Sequence, residues 1–243
     1  MIAHVRAIAP WATGDASMIK GGYYNAKKKL ASIDPIRYGR TRNFETGCVT
    51  QLSPYISHGI IDLHDSRAYA LKKCSFPAQI TKFIQELAWR DFWHRVAIYY
   101  PDWLWTDVEP YKTGHQTYAS VLPDDIKTGQ TDTACINAFI HDLLRTGYLH
   151  NHARLYLASY IVHHRRIQWQ AGAHWFLSHL LDGDEASNNF SWQWVASTFS
   201  NKPYIATLDN IAAHFPSVDT HPSRNKRLAM SYDDLAKRLF LNA

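Results

Sequence analysis

Leu181-Asp182-Gly183-Asp184-Glu185-Ala186-Ser187-Asn188-Asn189-Phe190-Ser191-Trp192-Gln193-Trp194 reads as the start of a helix that carries chemistry within its first turns. Three acids in four residues complement the partial positive charge at a helix start. Asn188 and Trp192, four apart, share one face. The acids leave two readings open: oxygen ligands for a cation, or a plain cap with Asp184 at the N-cap.

Working outward, helical spacing continues at 170–181, 148–166 and 132–146, and again at 207–214 and 231–241. In the first half the pattern predicts helices at 22–33 and at 54–73, the latter opened by Ser53 as N-cap and Pro54 at the first helical position. A helix at 78–100 places Ile80, Ile84, Leu87, Ala88 and Ile98 on one apolar face and stops at Pro101. A loop is expected at 102–129. Alternating runs bounded by hairpin turns are missing, as is a βαβ rhythm. Neither G-x-G-x-x-G nor G-x-x-x-x-G-K-[ST] occurs. The fold class is all-α, and any dinucleotide must be held by helix ends and side chains. Residues 1–20 read as an irregular lead-in, 21–216 as the helical domain, and 217–243 as a tail with a short helix.

At 243 residues, 46% hydrophobic and 19% charged, the chain can bury a sizeable core. Nine Trp and fourteen Tyr leave stacking platforms beyond what a core needs. The net charge of +5 suits a polyanion, although solubility alone explains it as well. Cys48, Cys74 and Cys135 lie far apart with no C-x-x-C, which argues for a reducing compartment and against a disulfide scaffold. No signal peptide or membrane span is expected, and the reading is a cytoplasmic protein.

Four segments carry the chemistry. Thr50-Gln51-Leu52-Ser53-Pro54 sets two hydroxyls and free backbone N–H groups at a helix start, which reads as an anion site or an ordinary N-cap. Glu86, Trp89, Arg90 and Trp93 share a second face of the 78–100 helix, a set suited to a flat, hydrogen-bonding ligand or to a surface ion pair over packed indoles. In His150-Asn151-His152-Ala153-Arg154, Asn151, Arg154 and the small Ala158 face one way. The fourteen His show no metal-ligand spacing. The 182–194 segment completes the set.

In order and spacing these segments resemble the helical FAD-binding domain of the cryptochrome/DNA photolyase family. T-S-x-L-S-P is similar to Val49 through Pro54, and E-L-x-W-R-[DE]-F to Glu86 through Phe92. T-G-W-M-H-N-R-x-R resembles Thr146 through Arg154, and D-G-D-x-A-x-N-x-x-W-Q-W is met by Asp182 through Trp194 at every fixed position. The resemblance covers about residues 21–204.

It implies FAD as cofactor, with Tyr38, Thr50, Leu52 and Ser53 at its ribityl and phosphate part. Arg90 joins the pocket, and Asn151, Arg154, Asp182, Asp184 and Asn188 surround the isoalloxazine. It implies Glu86, Trp89 and Trp194 as the lining of a pocket for a flipped-out pyrimidine dimer. Trp192 and Trp169 match the first two members of an electron-carrying tryptophan chain, with Tyr111 the best third. The implied activity is blue-light repair of pyrimidine dimers in DNA by electron transfer from reduced FAD, single-stranded damaged DNA being the better substrate. The alternative is a cryptochrome-like sensor or redox flavoprotein that signals to a protein partner. The antenna domain is not expected in this chain, which leaves a separate antenna chain as a further partner. The family's T-G-x-P-x-x-D is replaced by Thr131-Asp132-Thr133-Ala134-Cys135-Ile136-Asn137. His152 and Leu155 stand where a DNA-repairing member usually has Arg and Met.

Overall fold

The computed structural model describes residues 2–10 and 16–241. Parts of the expected lead-in (residues 1 and 11–15) and the end of the tail (242–243) lie outside them. Within the described residues the chain is helical without a strand, apart from one isolated parallel bridge between Ala119 and Ile167.

The first half comprises α1 (Ile2–Ile8), α2 (Tyr23–Ala31), α3 (Pro35–Thr41), α4 (Ser53–Ser57), α5 (Leu63–Leu71) and α6 (Thr81–Tyr99). The second comprises α7 (Asp124–Thr128), α8 (Ala134–Thr146), α9 (Asn151–Ser159), α10 (Trp169–His179), α11 (Glu185–Ala196), α12 (Leu208–His214) and α13 (Tyr232–Leu239). Helix α1 replaces an irregular start, in a segment where Ala3, Arg6 and Ala7 all favour helix.

The single helix expected over residues 54–73 is two. Gly59 takes φ +68°, and Asp62 opens a fresh helix by accepting from the Asp65 N–H at 2.6 Å. Helix α3 uses the same device: Asp34 accepts from Arg37 N–H, and Pro35 occupies the first turn. The expected loop at 102–129 contains a 3-10 turn (Pro101–Leu104) and α7. The helix expected over 148–166 narrows to α9 and then widens into a π-turn, Tyr160–His164, which brings His163 Nε2 within 2.9 Å of the Val195 carbonyl.

Two apolar clusters build most of the interior, and a third, small one (Ile205, Leu235, Leu239, Phe240) seats α13. The smaller joins α2 to α6 through Ala26, Leu30, Leu52, Tyr55, Ile80 and Phe83. The larger joins α8 to α12 through Phe139, Tyr156, Ile161, Trp169, Phe176 and Trp192. Of the expected apolar face of α6, Ile80, Ile84 and Leu87 pack in the smaller cluster, while Ala88 and Ile98 are exposed. The ligand-like face turns to α11, with Arg90 on Asp184 and Trp93 on Phe190. Among the described residues no helix is long and apolar enough to cross a membrane.

Candidate functional site

Along the seam between the two clusters lies a cavity of ≈ 300 Å³. From the first half it takes Tyr38 on α3, Thr50, Gln51, Leu52 and Ser53 ahead of and within α4, and Glu86, Trp89, Arg90 and Trp93 on α6. From the second it takes Asn151, Arg154 and Ala158 on α9, Asp182 and Asp184 before α11, and Asn188 and Trp192 on α11. Residues from all four sequence segments thus meet in one place.

The acids of the 182–185 turn are each engaged. Asp182 accepts from Arg154 at 2.9 Å, and Arg154 is fixed further by donating Nε–H to the Leu149 carbonyl at 2.9 Å. Asp184 is the N-cap of α11, accepting from Ser187 N–H at 3.0 Å, and pairs with Arg90 at 2.5 Å and His94 at 3.1 Å. Burial works to raise its carboxyl, but Arg90, the Ser187 N–H and His94 together outweigh that and hold it below the ordinary carboxylate range. Glu185 takes the Trp105 indole N–H at 2.6 Å. The cap reading of this acidic turn therefore fits, and the cation reading does not.

Asn188 spends both amide hydrogens, one on the Ala173 carbonyl at 3.1 Å and one on Asn189 Oδ1 at 2.9 Å. What remains for a ligand is its acceptor oxygen. Tyr38 packs edge-on against Phe83 at 5.3 Å, and burial raises its hydroxyl pKa further above the ordinary range. Trp89 stacks on Trp93 at 5.5 Å and Trp93 on Phe190 at 5.4 Å, a short column at the cavity wall. Glu86 is held by Arg42 at 3.3 Å and Lys82 at 3.1 Å.

Two expected residues do not line this cavity. Trp194 is 41% exposed and packs on Tyr204 at 5.6 Å, because two helical positions beyond Trp192 lie on the far side of α11. Trp169 is buried below the cavity and donates its indole N–H to Asp107 at 2.6 Å. It stacks on Trp105 at 6.2 Å with planes 11° apart. Tyr111, the expected third aromatic, instead stacks on Tyr118 at 4.1 Å, and its hydroxyl accepts from the Trp169 backbone N–H at 3.3 Å. Trp105, 37% exposed, is the ring that stacks on Trp169, whereas Tyr111 meets that residue at its backbone N–H. Gln51, inside the Thr50–Pro54 segment, and Arg42, which no sequence pattern marks, also line the cavity. The divergent 131–137 segment lies away from it, with Asp132 bound to Arg227 at 2.7 Å. The dipole at α4 is slight, since that helix has five residues.

The sequence profile of the FAD binding domain of DNA photolyase matches residues 83–222, more than half of the chain. The chain belongs to this family. The deoxyribodipyrimidine photo-lyase of Streptomyces griseus is 34% identical over 152 residues, 61% of this chain and 32% of that protein. That of Alkalihalophilus pseudofirmus is 32% identical over 206 residues, 82% of this chain and 41% of that protein. The chain thus spans less than half the length of these curated relatives. Its fold is that of the Synechocystis cryptochrome (TM-score 0.74, 22% identity, 90% of this chain and 51% of that one). It also matches a class III photolyase from Agrobacterium tumefaciens (TM-score 0.71, 20% identity, 96% of this chain and 59% of that one). FAD is the cofactor of the family, and the cavity suits it. A free carboxamide acceptor, an Arg154–Asp182 pair, the small Ala158 and the hydroxyls of Thr50 and Ser53 all line it.

Proposed function

We propose that this chain is a photolyase-like flavoprotein that repairs pyrimidine dimers in DNA by light-driven electron transfer. The observation that carries this reading is the gathering of Asn188, Arg154, Asp182, Glu86 and Trp89 on one cavity, with Trp89 half exposed at 51%. When bound, FAD supplies light absorption and one-electron chemistry. Arg154 would supply a positive charge for the anion that reduction creates, and Asp182 fixes that guanidinium in place. Tyr38, Thr50, Leu52 and Ser53 would hold the ribityl and phosphate part, and Asn151, Asp184 and Arg90 would complete the ring pocket. Trp89 offers a base-stacking face worth roughly 1–3 kcal/mol, and Glu86 an acceptor for a pyrimidine N–H. Trp192, Trp169 and Trp105 form the path by which electrons reach the cavity from the surface. The chain is taken as cytoplasmic, with its +5 charge favouring DNA.

The test is to reduce the bound FAD, illuminate with blue light, and follow recovery of pyrimidine absorbance in a dimer-containing single strand at low salt. Recovery supports repair. No recovery, with equal affinity for damaged and undamaged strands, overturns it. A second reading, a light sensor that signals to a protein partner, draws on two observations: Glu86 is occupied by Arg42 and Lys82, and Trp194 turns away from the cavity. Preferential binding of damaged oligonucleotide decides against the sensor.

A further inference from the structure

The charges lining the cavity cancel. Its cations Arg42, Arg90 and Arg154 are each paired with one of its carboxylates, Glu86, Asp184 and Asp182 respectively. A dinucleotide brings a diphosphate that is anionic at neutral pH, and an anion entering a neutral, partly buried site needs a counter-charge. Arg90 and Arg154 cannot supply it without abandoning a buried carboxylate, and Arg42 is engaged with Glu86.

One further cation is tied to the cavity wall through a neutral group. Lys29, on α2, donates from Nζ to Gln51 Oε1 at 2.7 Å and is half-buried. Among the described residues it has no carboxylate within ion-pair distance, unlike Lys27 of the same basic run, which pairs with Asp65 at 3.6 Å. Gln51 itself lines the cavity and is held at φ +52°, in the left-handed region that a non-glycine side chain rarely adopts. Its neighbours Thr50 and Ser53 carry hydroxyls that donate to no protein acceptor among the described residues. The Thr50 oxygen only accepts, from Leu52 N–H at 3.4 Å.

We propose that Lys29 is the counter-charge for the FAD diphosphate, positioned at the Thr50–Ser53 wall by its bond to Gln51. This assigns a cofactor-binding role to a residue of α2, outside every segment that carries the family resemblance, and it rests on the FAD reading of the cavity. It also explains why Gln51 keeps an unfavourable conformation, since the strained backbone aims its side chain at Lys29. The ammonium gives up only a neutral acceptor when it turns to a phosphate oxygen, so its charge is available at little electrostatic cost.

The experiment titrates the FAD-free protein with FAD, following quenching of flavin fluorescence at several salt concentrations. Lys29→Gln is expected to weaken FAD binding at least tenfold at low salt and to flatten its salt dependence, because one screened attraction is gone. Lys29→Arg should retain most of the affinity, and Lys28→Gln, an exposed neighbour on α2, should change nothing. Gln51→Gly separates binding from folding: glycine accepts the left-handed backbone freely, so the protein stays folded by its melting curve while FAD binding weakens several-fold. Equal FAD affinity and equal salt dependence in wild type, Lys29→Gln and Gln51→Gly overturn the proposal while leaving the FAD reading intact. Failure of the wild type itself to bind FAD overturns both.

Discussion

Trp192 rests so closely on Gly172 that a β-carbon there would lie 2.3 Å from the indole. Only glycine allows α10 and α11 to approach this far, and Gly172 is helical with an ordinary φ, so closeness of packing is the reason for it. Gly172→Ala is expected to push the indole into the cavity and to cost about 1–3 kcal/mol in thermal stability. An unchanged melting temperature would mean that the ring has room elsewhere. Of the cavity-lining indoles Trp89, Trp93 and Trp192, Trp192 is the buried one, on the helix that carries Asn188, so Trp192→Phe should greatly slow photoreduction of bound FAD by external donors while FAD stays bound. Unchanged photoreduction would place the electron path elsewhere. The two rings behind it differ in one respect: Trp169 and Trp105 each donate the indole N–H to a carboxylate, Asp107 and Glu185, both at 2.6 Å. A negative charge on the N–H favours an electron-poor indole, so Asp107→Asn should also slow photoreduction, though less than Trp192→Phe.

Among the elements, those whose start signals are chemical were legible and those whose boundaries are set by tertiary contacts were not. Pro101 ends α6 as its missing N–H requires. Asp62 carries the same kind of signal as Ser53-Pro54 but lies inside a stretch that already read as helical, so the break before α5 went unseen, while Asp34-Pro35, just past the expected 22–33 helix, opens α3 with a signal that went unread. On α6 both faces were legible as far as Leu87 and Trp93, and only the outer end of the apolar stripe, Ala88 and Ile98, is exposed. The π-turn at Tyr160–His164 had no local signal; it is packed in by the larger cluster, where all of Tyr160–His163 is buried. That turn makes the protein acid-sensitive. Burial and the nearby His115 push His163 down to about 4, and burial with Arg238 pushes His164 down to about 3. Unfolded histidine titrates near 6.5, so between that value and the folded ones the unfolded state binds more protons. Stability is therefore full above about pH 6.5 and falls as the pH drops towards 4, by up to about 3 kcal/mol for the fully buried His163. His163→Phe should flatten the loss in melting temperature between pH 7 and 4.5, whereas a pH slope equal to wild type would assign the acid sensitivity to other groups.

At the scale of the whole molecule the site was legible because its four segments are contiguous and chemically marked, while the partition of the core was not. The two apolar clusters meet across the cavity, and the halves are linked both at the 181–185 turn and away from it, as where the Glu45 N–H donates to the His214 carbonyl at 2.8 Å. His58 bonds the Leu181 carbonyl at 2.9 Å, Arg90 and His94 hold Asp184, and Trp105 reaches Glu185. The α2–α6 half has the smaller cluster, and Phe83 is the one buried residue of its longest helix. It therefore depends on the seam more than the α8–α12 half does. A cofactor seated there replaces cavity surface with contacts to both halves, and by mass action it stabilises the folded chain by about 2.7 kcal/mol when free FAD is 100 times its Kd. The gain should be uneven. In the FAD-free protein, hydrogen exchange is expected to be faster in Tyr23–Ala31 and Leu63–Leu71 than in Ala134–Thr146 and Glu185–Ala196, because the smaller cluster opens first. Adding FAD should slow exchange mainly in the first pair, since their opening would now break cofactor contacts as well. Arg90→Met should reproduce the FAD-free pattern even with FAD present, as it removes the strongest link to Asp184 and leaves that buried carboxylate with His94 and the Ser187 N–H and hydroxyl as partners. Equal protection in both halves, indifferent to FAD and to Arg90, would mean that the clusters fold as one unit and that the seam carries no share of the coupling.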